Sequence, residues 1–194
     1  MKKFFCLFIV CFLSLNSFSQ KKKKSVLKAT SANILAKSDN ISAENINNTF
    51  YVFANNGKQK DTLSKKSIIN APTDCKLSNF SAKGNKLYSL TWIEKITTQS
   101  TNKSEEKTLN NTEIFDTKLK AKVFSNIQTV TKITEKVFLD KLKNASETQE
   151  RMRNEGFVVS ILPTGDLSLK TKTQENKMTY DVVAKKFVDI KGKK

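Results

Sequence analysis

Lysines that alternate with apolar residues are the first candidates for chemistry in this sequence. In the stretch 113–124, EIFDTKLKAKVF, the residues Lys118, Lys120 and Lys122 alternate with apolar side chains. Successive side chains of a strand point to opposite faces of a sheet, so the pattern predicts one strand with three ammonium groups on one face. Such a row favours electrostatic binding of anions, and a solvated outer face of a sheet has the same pattern.

A second, shorter row supports a cationic surface. Lys170 and Lys172 lie opposite Leu167 and Leu169 in the stretch LSLKTKT. If both rows belong to one sheet, an anionic partner relieves the repulsion between them. The expected partners are acidic polysaccharide, lipid headgroups or another envelope protein. Specific nucleic-acid recognition is not expected, because no aromatic residues are interleaved with these lysines.

The residue types that are missing exclude several classes of enzyme. The sequence contains no histidine, which removes Ser-His and Cys-His nucleophile pairs and disfavours zinc and copper sites. Its five glycines form neither a Walker loop nor a dinucleotide fingerprint. We therefore predict no catalytic residues, no metal site and no cofactor. A hydrolase that uses two carboxylates remains an alternative, because glycoside cleavage needs only a pair of acids.

Net charge agrees with an anionic partner without identifying one. The chain has 35 basic and 18 acidic residues and a formal charge of +17. A field of this sign attracts anions and raises their association rates at low salt. Nearly all of the positive charge is lysine, and it accompanies abundant Asn, Ile and Phe, a composition typical of an AT-rich genome. Part of the charge therefore reflects codon usage.

The first 19 residues have the pattern of a secretory signal peptide. Lys2 and Lys3 precede an apolar run over 4–15, and Ser17 and Ser19 supply the small residues of a cleavage site. The apolar run is too short for a membrane-spanning helix. We expect an exported protein, in the periplasm, at the cell surface or outside the cell, with no transmembrane segment after cleavage. Cys75 is then its only cysteine.

Composition divides the remaining chain into two parts. Residues 20–48 are rich in Lys, Ser and Asn without a sustained apolar period, which predicts a disordered arm. Residues 49–194 are enough for a single domain with a substantial core.

Turn signals predict three hairpins in that domain. Asn56-Gly57 separates two extended runs, and the dipeptide Asn-Gly is a strong signal for a hairpin turn. Lys83-Gly84 and Pro163-Thr164-Gly165-Asp166 separate further pairs of runs. After the second of these turns, Tyr88 and Trp92 lie on the predicted core face. Leu90 and Ile96 share that face.

The middle of the domain is where a helix is expected. Residues 100–112 are polar and predict an exposed loop. In 125–153, apolar residues recur at intervals of mostly three and four, which predicts one long helix ending at Gly156. The β-branched residues of 127–133 favour an alternative, a short strand followed by a helix from Thr134. Residues 178–190 predict a last strand.

Together these elements predict an α+β fold, an antiparallel sheet of about seven or eight strands with one long helix packed on one face. The favoured function is a non-enzymatic binding or structural module with a basic sheet surface. The alternative is a carrier of a small hydrophobic ligand, in which a curved sheet and the helix enclose a cavity lined by residues such as Tyr88, Leu90, Trp92 and Phe138. The sequence leaves the oligomeric state open.

Overall fold

The computed structural model describes residues 33–57 and 59–190, and within these ranges the protein consists of 13 strands without a helix. The strands form three antiparallel sheets, and consecutive strands within each sheet are neighbours. The predicted signal peptide, including Cys6 and Cys11, lies outside the described residues.

Each sheet is a simple up-and-down meander. The N-terminal sheet contains β1 (Asn33–Ser38), β2 (Ile41–Ile46), β3 (Thr49–Asn56) and β4 (Gln59–Ser67). The central sheet contains β5 (Thr73–Ala82), β6 (Asn85–Gln99), β7 (Lys103–Asp116), β8 (Ala121–Phe138) and β9 (Ser146–Glu155). The C-terminal sheet contains β10 (Val158–Ile161), β11 (Leu167–Lys170), β12 (Glu175–Asp181) and β13 (Lys186–Asp189).

The predicted helix over 125–153 is wrong, and the fold is all-β instead of α+β. The strands β8 and β9 occupy that segment, including the part from Thr134 that both alternatives assigned to a helix. Thr129, Val130 and Thr131 are β-branched, and their side chains suit a pleated surface better than a helical turn. Pairing with β7 on one side and β9 on the other provides β8 with backbone partners along most of its length.

Two further predictions of irregular structure are wrong. The segment 100–112 was expected to be a loop, but β7 begins at Lys103 and pairs with both β6 and β8. The disordered arm over 20–48 is wrong from Asn33 onward, because β1 and β2 lie there, and the domain therefore begins earlier than residue 49. The segment 100–112 is almost entirely polar and lacks the apolar period that signals a strand, whereas β2 alternates Ile41 and Ala43 with Ser42 and Glu44 over too few residues to stand out from the polar arm.

Two segments that were each predicted as one strand are hairpins. The stretch 113–124 contains the end of β7, a turn over 117–120 and the start of β8. Residues 178–190 contain the end of β12, a turn over 182–185 and β13. In both turns an aspartate carboxylate accepts backbone N–H groups two and three residues later, Asp116 in the first and Asp181 in the second. This local hydrogen bonding competes with strand pairing and reverses the chain.

The three predicted hairpins are confirmed. Asn56 pairs with Gln59 at the end of β3 and β4. Lys83 and Gly84 form a two-residue turn between β5 and β6, and both have positive φ, 50° and 78°. The third turn, over 163–165, connects β10 and β11.

The core lies on both faces of the central sheet. One face of β6 and β7 carries Tyr88, Leu90 and Phe115, together with Trp92, and packs against apolar residues of the N-terminal sheet. The opposite face carries Leu87 and Ile114 and packs against the C-terminal sheet. The three sheets are therefore layers with the central sheet in the middle. The predicted core face of β6 is confirmed for Tyr88, Leu90 and Trp92, which are at most 3% exposed.

The hairpin turn at Gly165 is expected to be more sensitive to substitution than the one at Gly84. Both glycines have positive φ, 83° and 78°, so a Gly→Ala change costs about 1–2 kcal/mol at either position. A methyl group on Gly165 also collides with the backbone of Ser81 and Ala82 in β5, whereas one on Gly84 meets no described atom within 4 Å. The free energy of unfolding should fall by about 2–5 kcal/mol for Gly165→Ala. Equal losses in denaturant titrations of the two variants would show that this turn is not packed on β5.

Candidate functional site

The lysines of the first predicted row do not lie on one strand face. Lys118 and Lys120 belong to the turn between β7 and β8, and Lys122 is the second residue of β8. Lys120 has a positive φ of 52°. The regular alternation on which the row was based therefore ends at Asp116.

Two of these three lysines have carboxylate partners. Lys120 Nζ lies 2.9 Å from Asp61 Oδ2, and Lys122 Nζ lies 2.8 Å from Glu113 Oε1. Hydrogen bonding to Lys120 is the main reason that the pKa of Asp61 lies below its usual value. The side chain of Glu113 is only 11% exposed, so Lys122 compensates a nearly buried charge. Both lysines have structural roles that reduce their attraction for an external anion.

The second row has a different environment. Lys170 ends β11, and Lys172 follows it in an exposed segment that leads to β12. Both line an open cavity of about 590 Å³ beside the central sheet. A neighbouring cavity of about 330 Å³ shares two lining residues with it, Gln128 and Val158, and the two adjacent cavities are together called the groove.

The groove exists because the C-terminal sheet covers only part of the central sheet. The strands β10 and β11 contain four residues each, whereas β6, β7 and β8 contain 15, 14 and 18. Beyond the apolar residues that the C-terminal sheet covers, the same face of the central sheet continues with polar side chains. The groove residues on this face are Thr91, Ile93, Asn110, Thr112, Asn126 and Gln128. The residues Phe157, Val158 and Val159 close one side.

Three amide side chains of the groove have donor or acceptor atoms that no described residue uses. Asn110 Nδ2 donates to Gln128 Oε1 at 2.5 Å, and Asn126 Nδ2 donates to the carbonyl oxygen of Phe157 at 2.8 Å. These bonds fix the orientation of all three amides. Among the hydrogen bonds of the described residues, none uses Gln128 Nε2, Asn110 Oδ1 or Asn126 Oδ1. The groove therefore offers one oriented donor group and two oriented acceptors.

The charge of the groove is positive. Three of its lining residues are lysines, Lys76, Lys170 and Lys172, and one is an acid, Asp74. Lys170 Nζ also lies 3.5 Å from Glu175 Oε2. The Ser168 hydroxyl donates to Glu175 and is the main reason that the pKa of this carboxyl lies below its ordinary value. Lys76 and Lys172 make no ion pair with any residue that the structure describes.

Two of the buried acids, which are candidates for a carboxylate-dependent reaction, are hydrogen-bonded to the protein itself. Glu94 Oε1 accepts bonds from Lys66 Nζ at 2.6 Å, Trp92 Nε1 at 2.7 Å and Asn111 Nδ2 at 3.3 Å. The two oxygens of Asp116 accept the N–H groups of the turn and the Tyr180 hydroxyl. Glu94 and Asp116 are therefore both held by hydrogen bonds within the protein.

Residues proposed to line a hydrophobic cavity are mostly core. Tyr88, Leu90 and Trp92 belong to the cluster between the N-terminal and central sheets, where the rings of Trp92 and Phe50 are 4.9 Å apart. Phe138 lies at the far end of β8 with the ammonium groups of Lys136 and Lys143 over its ring. The described residues thus do not bring these four side chains together.

Cys75 has the environment of a structural cysteine. Burial, and secondarily the neighbouring Asp74 carboxylate, raises the pKa of the Cys75 thiol to about 11. Only a small fraction is therefore thiolate near neutral pH, and the thiolate is the reactive form.

Metal-ligand clusters and membrane-spanning helices are both absent from the residues that the structure describes. No group of three or more Cys, Asp or Glu side chains in residues 33–57 and 59–190 is placed to hold a metal ion. Over the same ranges, no helix is long and apolar enough to cross a membrane. No protein-family model matches the sequence, and neither a curated protein nor a solved structure shows significant similarity to it.

Sequence reasoning missed most of the groove. Asn126 and Gln128 were assigned to a helix and Asn110 to a loop, so their common face was not visible. Their spacing of two residues, with Phe124 before them, is nevertheless a strand period. Lys76 alternates with apolar residues in the same way, and that signal was available.

Lys122 and Lys118 are expected to differ in their contribution to stability. Lys122→Gln removes the ionic partner of the nearly buried Glu113 and should lower the free energy of unfolding by about 1–2 kcal/mol. Lys118 is exposed, so Lys118→Gln should change the free energy of unfolding by less than about 0.5 kcal/mol. Urea titration of both variants measures the difference. Indistinguishable midpoints would argue against the Lys122–Glu113 pair.

Proposed function

We propose that the mature protein is an exported, non-enzymatic binding module that holds an acidic polysaccharide in the groove of the central sheet. Export is inferred from the signal-peptide pattern of residues 1–19. The observation that supports the binding function most directly is the combination of three lysines with oriented, open amide groups along one groove.

An extended ligand suits the groove better than a single small anion. Lys76 lines the first cavity, and Lys170 and Lys172 line the second. Gln128 lies where the two cavities meet and contacts both. A chain with a negative charge at intervals can reach both groups of lysines, and each contact adds to the binding free energy.

The polar groups between the lysines favour a saccharide chain. Sugar hydroxyls both donate and accept hydrogen bonds, which matches the Gln128 amide donor and the Asn110 and Asn126 acceptors. A uronate carboxylate supplies the charge. The lining of the described groove has no row of exposed aromatic rings, which base stacking on a nucleic acid requires. Lysine acts on such a ligand as a point charge, so binding should weaken with salt.

Retention on immobilised polygalacturonate tests the proposal. The triple variant Lys76→Gln, Lys170→Gln, Lys172→Gln should bind at least about tenfold more weakly than the wild type and elute at lower salt. Neutral dextran on the same support should retain neither protein.

A second triple variant controls for net charge. Lys118→Gln, Lys120→Gln, Lys122→Gln removes the same three charges from the β7–β8 turn, and its effect on retention should be clearly smaller. Circular dichroism of both variants checks that the fold persists. If both triple variants elute at the same salt, binding depends on total charge and the groove is not the site. Retention on anionic lipid vesicles but not on polygalacturonate would replace the saccharide with a lipid headgroup.

A further inference from the structure

A third cavity lies on the outer face of the N-terminal sheet, and a buried carboxylate forms part of its wall. It has a volume of about 490 Å³, within the usual range for small-ligand sites. Glu44 and Ser42 of β2 line it, and they alternate with Ile41 and Ala43, which face the core. All four residues are at most 2% exposed. The outward-facing residues of an outer sheet are normally exposed to solvent, whereas Ser42 and Glu44 of β2 are buried.

One oxygen of Glu44 is firmly held. Glu44 Oε1 accepts a bond from the Ser42 hydroxyl at 2.8 Å and from Lys60 Nζ at 2.7 Å. Asn55 Nδ2 donates in turn to the Ser42 oxygen at 3.2 Å. Lys60 is further positioned by the Phe53 ring, 5.1 Å from its Nζ. This network orders the lining before any ligand binds.

The other oxygen has no partner within residues 33–57 and 59–190. Glu44 Oε2 is buried and accepts no hydrogen bond from any described residue. A buried acceptor without a donor costs about 1–3 kcal/mol, and a charged one costs more. An unpaired acceptor in the wall of a cavity is available to a ligand that supplies the missing donor.

Charge balance in the lining indicates what kind of donor that is. Lys37 and Lys60 are opposed by Asp39 and Glu44 in the lining, and Asp39 is also paired with Lys86 outside it at 2.7 Å, so no strong field of either sign remains. A cationic ligand would gain little from this field, and so would an anionic one. A neutral ligand that both donates and accepts hydrogen bonds fits better. Vicinal hydroxyl groups do this, with one donating to Glu44 Oε2 and the other accepting from Lys37 or an amide.

We propose that this cavity binds a neutral saccharide, with a sugar hydroxyl donating to Glu44 Oε2. The site lies on the outer side of the N-terminal sheet, away from the groove, which is on the opposite face of the central sheet. The inference therefore does not depend on the polysaccharide function proposed for the groove.

Nuclear magnetic resonance titration of the whole protein with glucose, galactose, mannose and N-acetylglucosamine tests the site. At least one of these sugars should shift the amide resonances of Ser42, Glu44 and Asn55. Glu44→Gln keeps the shape of the side chain but replaces an acceptor with a donor. The Glu44→Gln variant should bind that sugar at least about tenfold more weakly than the wild type. Glu106→Gln removes the same charge from an exposed residue of β7 that makes no described ion pair and should leave affinity within about twofold.

A second pair of variants guards against misfolding of Glu44→Gln. Ile34 lines the cavity and is 56% exposed, so substitutions there should be tolerated by the fold. Ile34→Trp should fill the cavity and abolish sugar binding, whereas Ile34→Ala should retain it. The proposal is overturned if no sugar of the panel shifts these resonances, or if Ile34→Trp binds as well as Ile34→Ala. The Lys76, Lys170, Lys172 triple variant should bind the sugar normally, which separates this site from the groove.

Discussion

Burial of both faces of the central sheet is the constraint on which the rest of the structure depends. At the centre of β6 and β7 adjacent residues are apolar, because Leu87 and Ile114 face one neighbouring sheet while Tyr88 and Phe115 face the other. Each fully buried side chain of this kind contributes about 1.5–3 kcal/mol. The two outer sheets are short meanders, and burial against the central sheet gives each of them a hydrophobic core. Their limited size also determines where that core ends.

Polar networks mark the boundary of the core. Trp92 is 2% exposed and gives its indole N–H to Glu94, which also binds Lys66 from the N-terminal sheet. Beyond Glu94 the strands of the central sheet become mostly polar on both faces. On the face toward the N-terminal sheet, the buried polar groups at this boundary hydrogen-bond to one another, as Glu94 does with Trp92 and Lys66. On the other face the transition leaves the amides of Asn110 and Gln128 open, and there the groove begins. The same change from apolar to polar side chains thus produces a closed hydrogen-bond network on one face of the sheet and a candidate binding site on the other.

Sequence patterns predicted the parts of the fold that depend on backbone geometry. Two hairpins were predicted because Asn and Gly tolerate positive φ, the third because Pro163 suits the first central position of a turn, and the core face of β6 because its residues alternate. The failures have two physical origins: side chains also direct the backbone, and pairing with neighbouring strands overrides a local pattern. Asp116 and Asp181 each accept two N–H groups of a turn, and a lysine with positive φ follows four residues later, Lys120 and Lys185. Turns of this kind contain neither glycine nor proline. The missed turn at Asp116 produced the false lysine row, and tertiary pairing of β8 overrode a helical spacing of apolar residues.

Net charge is a poor guide to binding in this protein because ion pairs redistribute it. Lys60, Lys66 and Lys122 each compensate a carboxylate that is at most 8% exposed, so these lysines make burial of the acids possible. A lysine used in this way is already bound and gains little from an external anion. What matters for recognition is positive charge that remains uncompensated next to groups with unused hydrogen-bonding capacity. Lys76 and Lys172 meet this condition beside the open amides, and that coincidence, which depends on the partial cover of the central sheet, could not be read from composition or from the alternation of any single strand.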